Sequence, residues 1–202
     1  MKKQLIAPAI AALLCTLTAG TATAQSAAAE GPWMVRVRAV HLDSANKDST
    51  GLNLSVNDKW LPEVDISYFV TPNIAAELIL TVPQKHTLSS GAASIGSLRH
   101  LPPTLTLQYH FTQAAGFKPY VGAGFNYTRF SSVNLPAGVD IQRSSTGLAL
   151  QAGVDIPVSK GVYLNFDLKK VYIKTDVSAA GAKVGTFKVD PVLFGAGVGW
   201  RF

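Results

Sequence analysis

From Trp33 to the final Phe202, apolar and polar residues alternate along the chain in eight segments separated by turn-forming residues. A period of two throws successive side chains to opposite faces of a strand, whereas a helix would group them every third or fourth position. Trp33 to Leu42 sets Trp33, Val35, Val37 and Ala39 against Arg36 and Arg38, and Leu61 to Val70 sets Val64, Ile66 and Tyr68 against Glu63, Asp65 and Ser67. After the turn Thr71-Pro72-Asn73, Ile74 to Val82 opposes Ala76, Leu78 and Leu80 to Glu77 and Thr81. Thr104 to Phe111, Pro119 to Arg129, Gly147 to Ile156 and Val162 to Ile173 repeat the pattern, the last with Leu164, Phe166 and Leu168 opposite Asn165, Asp167 and Lys169. The eighth runs to the terminus, with Val192, Phe194, Ala196, Val198, Trp200 and Phe202 against Gly195, Gly197, Gly199 and Arg201.

Each segment is near the 9–11 residues, roughly, that a tilted strand needs to cross a bilayer. The connections alternate in length. Those after segments two, four and six are short; those after one, three, five and seven are long and polar, over 43–60, 83–100, 130–146 and 174–188. The expected fold is therefore all-β, an eight-stranded antiparallel up-and-down transmembrane β-barrel. The long loops should be extracellular and both termini periplasmic. A soluble eight-stranded barrel would instead bury the apolar face, but about forty mostly large side chains exceed what so narrow a lumen holds. The opposite face, rich in Gly, Ser, Thr and Asn, suits the interior. Apolar residues should face lipid.

Composition agrees: 48% of residues are hydrophobic and only 15% charged, against about 25% charged in soluble domains. Part of the excess is N-terminal. Lys2 and Lys3, an apolar run from Leu5 to Leu17 and the small-residue pattern Ala22-Thr23-Ala24 mark residues 1–24 as a secretory signal peptide, leaving 25–202 as the barrel domain. The single cysteine, Cys15, leaves with the signal, and the net charge falls from +6 to +4 with the loss of the two lysines. No basic run points to nucleic acid. The mild positive excess suits anionic outer-membrane lipids, including lipopolysaccharide.

The inward face carries Arg36, Arg38, Lys169 and Arg201 against Glu63, Asp65, Glu77, Asp155 and Asp167. Lone charges in a narrow tube are costly, so a paired lumen network is expected, plugging the tube and leaving no wide pore. Outward aromatics (Trp33, Tyr68, Tyr109, Phe111, Phe166, Trp200, Phe202) read as interfacial girdles. No catalytic residues stand out. His41, His86, His100 and His110 lack metal-ligand spacing, and neither a nucleophile elbow nor a phosphate loop is present. The expectation is a non-enzyme with no cofactor and no metal.

The terminal run, with Phe194, Val198, Trp200 and Phe202, resembles the signal that the barrel assembly machinery recognises. His100-Leu101-Pro102-Pro103-Thr104-Leu105, then Phe117-Lys118-Pro119-Tyr120-Val121-Gly122-Ala123-Gly124, then Leu148 to Asp155 and the aromatic terminus together resemble the outer-membrane protein W family. That resemblance implies a narrow, partly hydrophobic channel for uptake of small hydrophobic molecules, with Leu54, Val56, Trp60 and Leu61 as candidates for its apolar mouth. A structural or adhesive barrel, or a surface receptor without transport, is the alternative. Pro83, Leu101, Pro102 and Pro103 fall where the third and fourth strands should be neighbours. Proline offers no backbone N–H, so the wall between these strands is a candidate lateral opening; equally, the prolines could simply stop strands where loops begin.

Overall fold

The computed structural model describes residues 30–113 and 116–202, so the leader expected over 1–24, with Cys15, lies outside the described residues. These hold fifteen strands: β1 (Trp33–Asp43), β2 (Lys47–Asp48), β3 (Leu54–Val56), β4 (Lys59–Phe69), β5 (Ile74–Thr81), β6 (Gln84–Ser90), β7 (Ala93–Leu101), β8 (Thr104–His110), β9 (Lys118–Asn134), β10 (Val139–Ile141), β11 (Ser144–Ser159), β12 (Val162–Val171), β13 (Lys174–Ala179), β14 (Ala182–Lys188) and β15 (Val192–Arg201). Eight of them, in the order β1-β4-β5-β8-β9-β11-β12-β15, form an antiparallel wall. It closes where β15 returns to β1 through an unbroken register from Met34↔Arg201 to Asp43↔Val192. Closure leaves no edge strand, so the paired backbone of the wall needs no water to satisfy it.

Alternation sets the faces. Arg36 and Asp65 are wholly buried inside the tube, while Phe125 on the outer face is 73% exposed. Large apolar side chains cover the outside of every barrel strand, among them Val37, Ile66, Leu78, Leu107, Leu150, Leu168 and Phe194. Exposed Trp and Tyr side chains cluster at two levels: Trp33, Tyr68, Tyr109 and Trp200 near the termini, Trp60, Tyr127 and Tyr172 at the far end; Phe166, expected in a girdle, lies between them opposite Ala196. On β4, Trp60 and Tyr68 lie eight positions apart, roughly 20 Å along the barrel axis once the strand's tilt is taken into account. That is close to the apolar band of an outer-membrane barrel, about 25 Å tall.

Three of the four long segments expected as loops, 83–100, 130–146 and 174–188, are mostly strand, and 43–60 contributes the short β2 and β3. β9 and β11 run 17 and 16 residues; β9 continues past the far aromatic level to Asn134, whereas β11 begins just above that level, at Ser144↔Arg129. There β9 exchanges its partner β8 for β7, which carries β6 and β3. A second sheet, β10-β13-β14-β2, stands over the opposite side of the rim. Tight hairpins make this possible: Ala180 and Gly181 both adopt positive φ, 49° and 81°, the geometry that matches the twist of two paired strands. The polar outer faces of these segments had suggested loops, but their inner faces (Leu54, Val56, Leu88, Leu98, Val177, Phe187) join one apolar cluster with the barrel top.

Candidate functional site

The inward side chains of the barrel are stratified. Along β1 they read Met34, Arg36, Arg38, Val40, Leu42 from the terminal end upward, and along β12 Tyr163, Asn165, Asp167, Lys169, Val171. An apolar floor, a charged middle and an apolar upper chamber result.

The middle layer is a plug of ion pairs. Arg36 donates to Asp155 through Nη2 at 2.7 Å and Nε at 3.1 Å, and to Asp65 and Ser67 through Nη1. Arg38 Nη1 lies 2.8 Å from Glu63 and 2.7 Å from Asp65, while Nη2 reaches Glu77 at 3.3 Å. Lys169 Nζ bridges Glu63 at 2.6 Å and Asp167 at 2.7 Å. Neutral groups absent from the sequence-based network complete it. Tyr120 donates its hydroxyl to Asp167 at 2.7 Å, as does the Gln151 amide at 2.8 Å, and Asn165 donates to Asp155 and accepts from Arg38 Nε. Two glycines make room. A Cβ on Gly153 would stand 2.3 Å from the Tyr120 ring, and one on Gly199 would stand 3.0 Å from Arg36 Cγ. Among the residues expected in this network, Arg201 belongs elsewhere. It sits on the floor, 3.0 Å from Glu30 and with its guanidinium 3.7 Å over the Phe69 ring. Three cations therefore face five carboxylates in the plug, in place of the near balance expected.

Above the plug lies a small apolar cavity of about 30 Å³, lined by Leu42, Leu61, Ile79, Val171, Ile173 and Leu193, enough for one or two waters. Its floor is the Glu63–Lys169 pair, and on one side it reaches Thr81, His100, Pro102 and Thr104. Of the mouth candidates, Leu61 lines this cavity, and Leu54 and Val56 are buried in the apolar cluster above it. Trp60 does not belong there. It is 60% exposed on the outer face, because the register of β4 gives it the lipid-facing parity of Ile66 and Tyr68. The upper lining (Leu42, Ile79, Val171, Leu193) escaped the sequence reading; its signal was an inward set that turns from polar to apolar at the strand tops.

The seam between β5 and β8 is the shortest of the eight, with six register pairs. It stops at Ile79↔Thr104, whereas β4 stays paired with β5 as far as Thr81. Beyond the stop, Leu80 and Thr81 face a chain whose carbonyls turn the other way. The Pro103 oxygen accepts from the Tyr127 amide at 3.1 Å, and both proline oxygens accept from the Asn126 side chain. The Thr81 hydroxyl is buried without a partner. Pro102 lines the inner cavity, Pro103 lines an outer groove with Leu78, Leu105 and Phe125, Leu101 pairs with Arg129, and Pro83 is exposed just past β5. Phe194, Trp200 and Phe202 of the terminal motif point outward, and Val198 is half-buried on the same face.

The OmpW family model matches residues 29–202. The chain is 42% identical to "Uncharacterized outer-membrane protein y4mB" of Sinorhizobium fredii over 96% of this chain and 90% of that one. It is 32% identical to Outer membrane protein W of Escherichia coli over the full length of both, and 28% identical to "Dibenzothiophene metabolism operon protein PahQ" of Pseudomonas aeruginosa over 87% and 90%. The crystal structure of OprG from Pseudomonas aeruginosa superposes with a TM-score of 0.74 at 24% identity, covering 86% of this chain and 97% of that one. A closed eight-stranded wall with a lipid-facing apolar belt, matched by the family model over every described residue, makes this chain an integral outer-membrane barrel of the OmpW family.

Proposed function

We propose that this barrel takes small hydrophobic molecules from outside the cell and releases them sideways into the outer membrane between β5 and β8. One observation carries the reading: the apolar chamber has a floor of paired charges and a flank where strand pairing lapses between Ile79↔Thr104 and Gln84↔His100. A hydrophobic solute gains nothing by crossing the plug, where it would displace charge-assisted bonds in a site closed to water. At the height of Thr81 and Pro102 the wall lacks ladder bonds that would have to break. The outer groove lined by Leu78, Pro103 and Phe125 meets the same seam from the lipid side. The chamber as it stands is too small for a solute, so passage involves side chains moving at that seam. The PahQ relative, named for an operon of dibenzothiophene metabolism, suits a hydrophobic cargo. No bond-making chemistry belongs to this reading; the barrel acts as a conduit and not as an enzyme.

The test restores the missing donors. Pro83→Ala, Pro102→Val and Pro103→Val combined should let the seam zip upward, and uptake of a hydrophobic fluorophore into vesicles carrying the barrel should fall about tenfold or more. Unchanged uptake in a variant that still shows the folded band on an unheated gel would rule out release at this seam.

A further inference from the structure

Above the far aromatic level, the second sheet sets three lysines in one row. Lys174 of β13 is directly opposite Lys188 of β14, which is directly opposite Lys47 of β2. All three are exposed, with Thr175, Phe187 and Val189 turned inward beside them. Like charges directly opposite on adjacent strands are destabilising, and among the described residues none of the three is in an ion pair. The nearby carboxylates are otherwise engaged. Asp190 accepts from the Ile173 amide at 2.9 Å, Asp176 is held by Lys183 at 2.7 Å and Thr186 at 2.8 Å, and Asp48 caps the Thr50 and Leu54 amides.

Lys174 and Lys188 also line a cleft of about 270 Å³ beside Thr146, Gly147, Tyr172 and Asp190. Tyr172 is an outward aromatic two residues before Lys174, with Lys170 Nζ 5.9 Å over its ring. The row thus stands just above the girdle, at the level of the outer-leaflet headgroups, and the cleft opens onto the lipid-facing side of the wall.

We propose that Lys47, Lys174 and Lys188 form a binding site for a phosphate group of lipopolysaccharide. The cleft beside Tyr172 would receive the sugar that carries this phosphate. A doubly charged phosphate offers several acceptor oxygens, relieves the repulsion along the row, and lies at this height in a leaflet of phosphorylated glycolipid. Free phosphate has the same headgroup chemistry but no acyl chains to hold it at the girdle.

The experiment compares purified barrel with Lys47→Gln/Lys174→Gln/Lys188→Gln, each reconstituted in EDTA and titrated with lipid A or with lipid A stripped of its phosphates. A second triple variant, Lys59→Gln/Lys85→Gln/Arg99→Gln, removes the same charge elsewhere on the rim. At roughly a fivefold effect per lysine near a lipid surface, the first variant should bind intact lipid A on the order of a hundredfold more weakly. The second variant should bind as the parent does, and dephosphorylated lipid A should not distinguish parent from first variant. Equal losses in the two variants, or competition by millimolar inorganic phosphate, would overturn the proposal. So would intact binding in the first variant.

Discussion

Lys169 shows how tightly the interior is built. Its ammonium is the bridge between Glu63 and Asp167, and it is also the roof of the plug where the apolar chamber begins. Replacing it with methionine leaves two buried carboxylates short of a cation, and breaking a buried pair in this way costs about 3–5 kcal/mol. Guanidinium unfolding of Lys169→Met in detergent should show that loss. Adding Glu63→Gln should recover part of it, and purely additive effects would mean the pair is not coupled. Gly153→Val should also destabilise, because its side chain would occupy the space of the Tyr120 ring that anchors Asp167; unchanged stability would show that the ring can move aside. Most of the plug was legible from residue parity, since period-two alternation alone assigns Arg36, Arg38, Glu63, Asp65 and Glu77 to one face. Arg201 shares that parity, but its partners Glu30 and Phe69 come from a segment before β1 and from the end of β4. Height along the tube, which parity does not encode, decided its place.

Among the elements, the β6–β7 hairpin has the most distinctive chemistry. His86 and His100 stack with ring centroids 4.5 Å apart, both buried, with His86 Nδ1 3.1 Å from the Asn57 carbonyl and Nε2 without a partner. Both lie beyond the girdle. Burial and then the neighbouring His86 push the His100 pKa down to about 3, and burial likewise lowers that of His86; Lys59 adds repulsion to each. Each ring is thus neutral in the folded hairpin. The unfolded hairpin takes up protons first, below about pH 6.5, so stability is full above that value and is lost as pH falls toward the folded pKa. Amide exchange over 84–101 should accelerate between pH 7 and pH 4 after correction for intrinsic rates, and His100→Phe should flatten the response. Equal protection at both pH values in the parent would contradict this. The sequence read this segment as loop because its outward positions are Lys85, Thr87 and Arg99. The inward Leu88 and Leu98 carry the strand signal, but only tertiary contact with β9 and β3 makes it count.

At the scale of the whole molecule, the plug fills the axis of the barrel, and the short β5–β8 seam is the exit that the proposed function assigns. The eight-strand count, the orientation and the short turns could be read from alternation and turn residues. The strand-built extensions and the cavity could not, because they depend on which segments meet above the rim. The most direct measurement places the barrel in vesicles and follows two probes of similar size together. One is a hydrophobic fluorophore whose emission rises on reaching the bilayer; the other is a hydrophilic dye trapped inside. The account predicts barrel-dependent delivery of the first, no release of the second, and about a tenfold or greater loss of delivery when Thr81→Trp fills the gap beside Pro102. Release of the trapped dye, or delivery that survives Thr81→Trp in a folded barrel, would show that the solute travels through the plug or does not use this protein's wall at all.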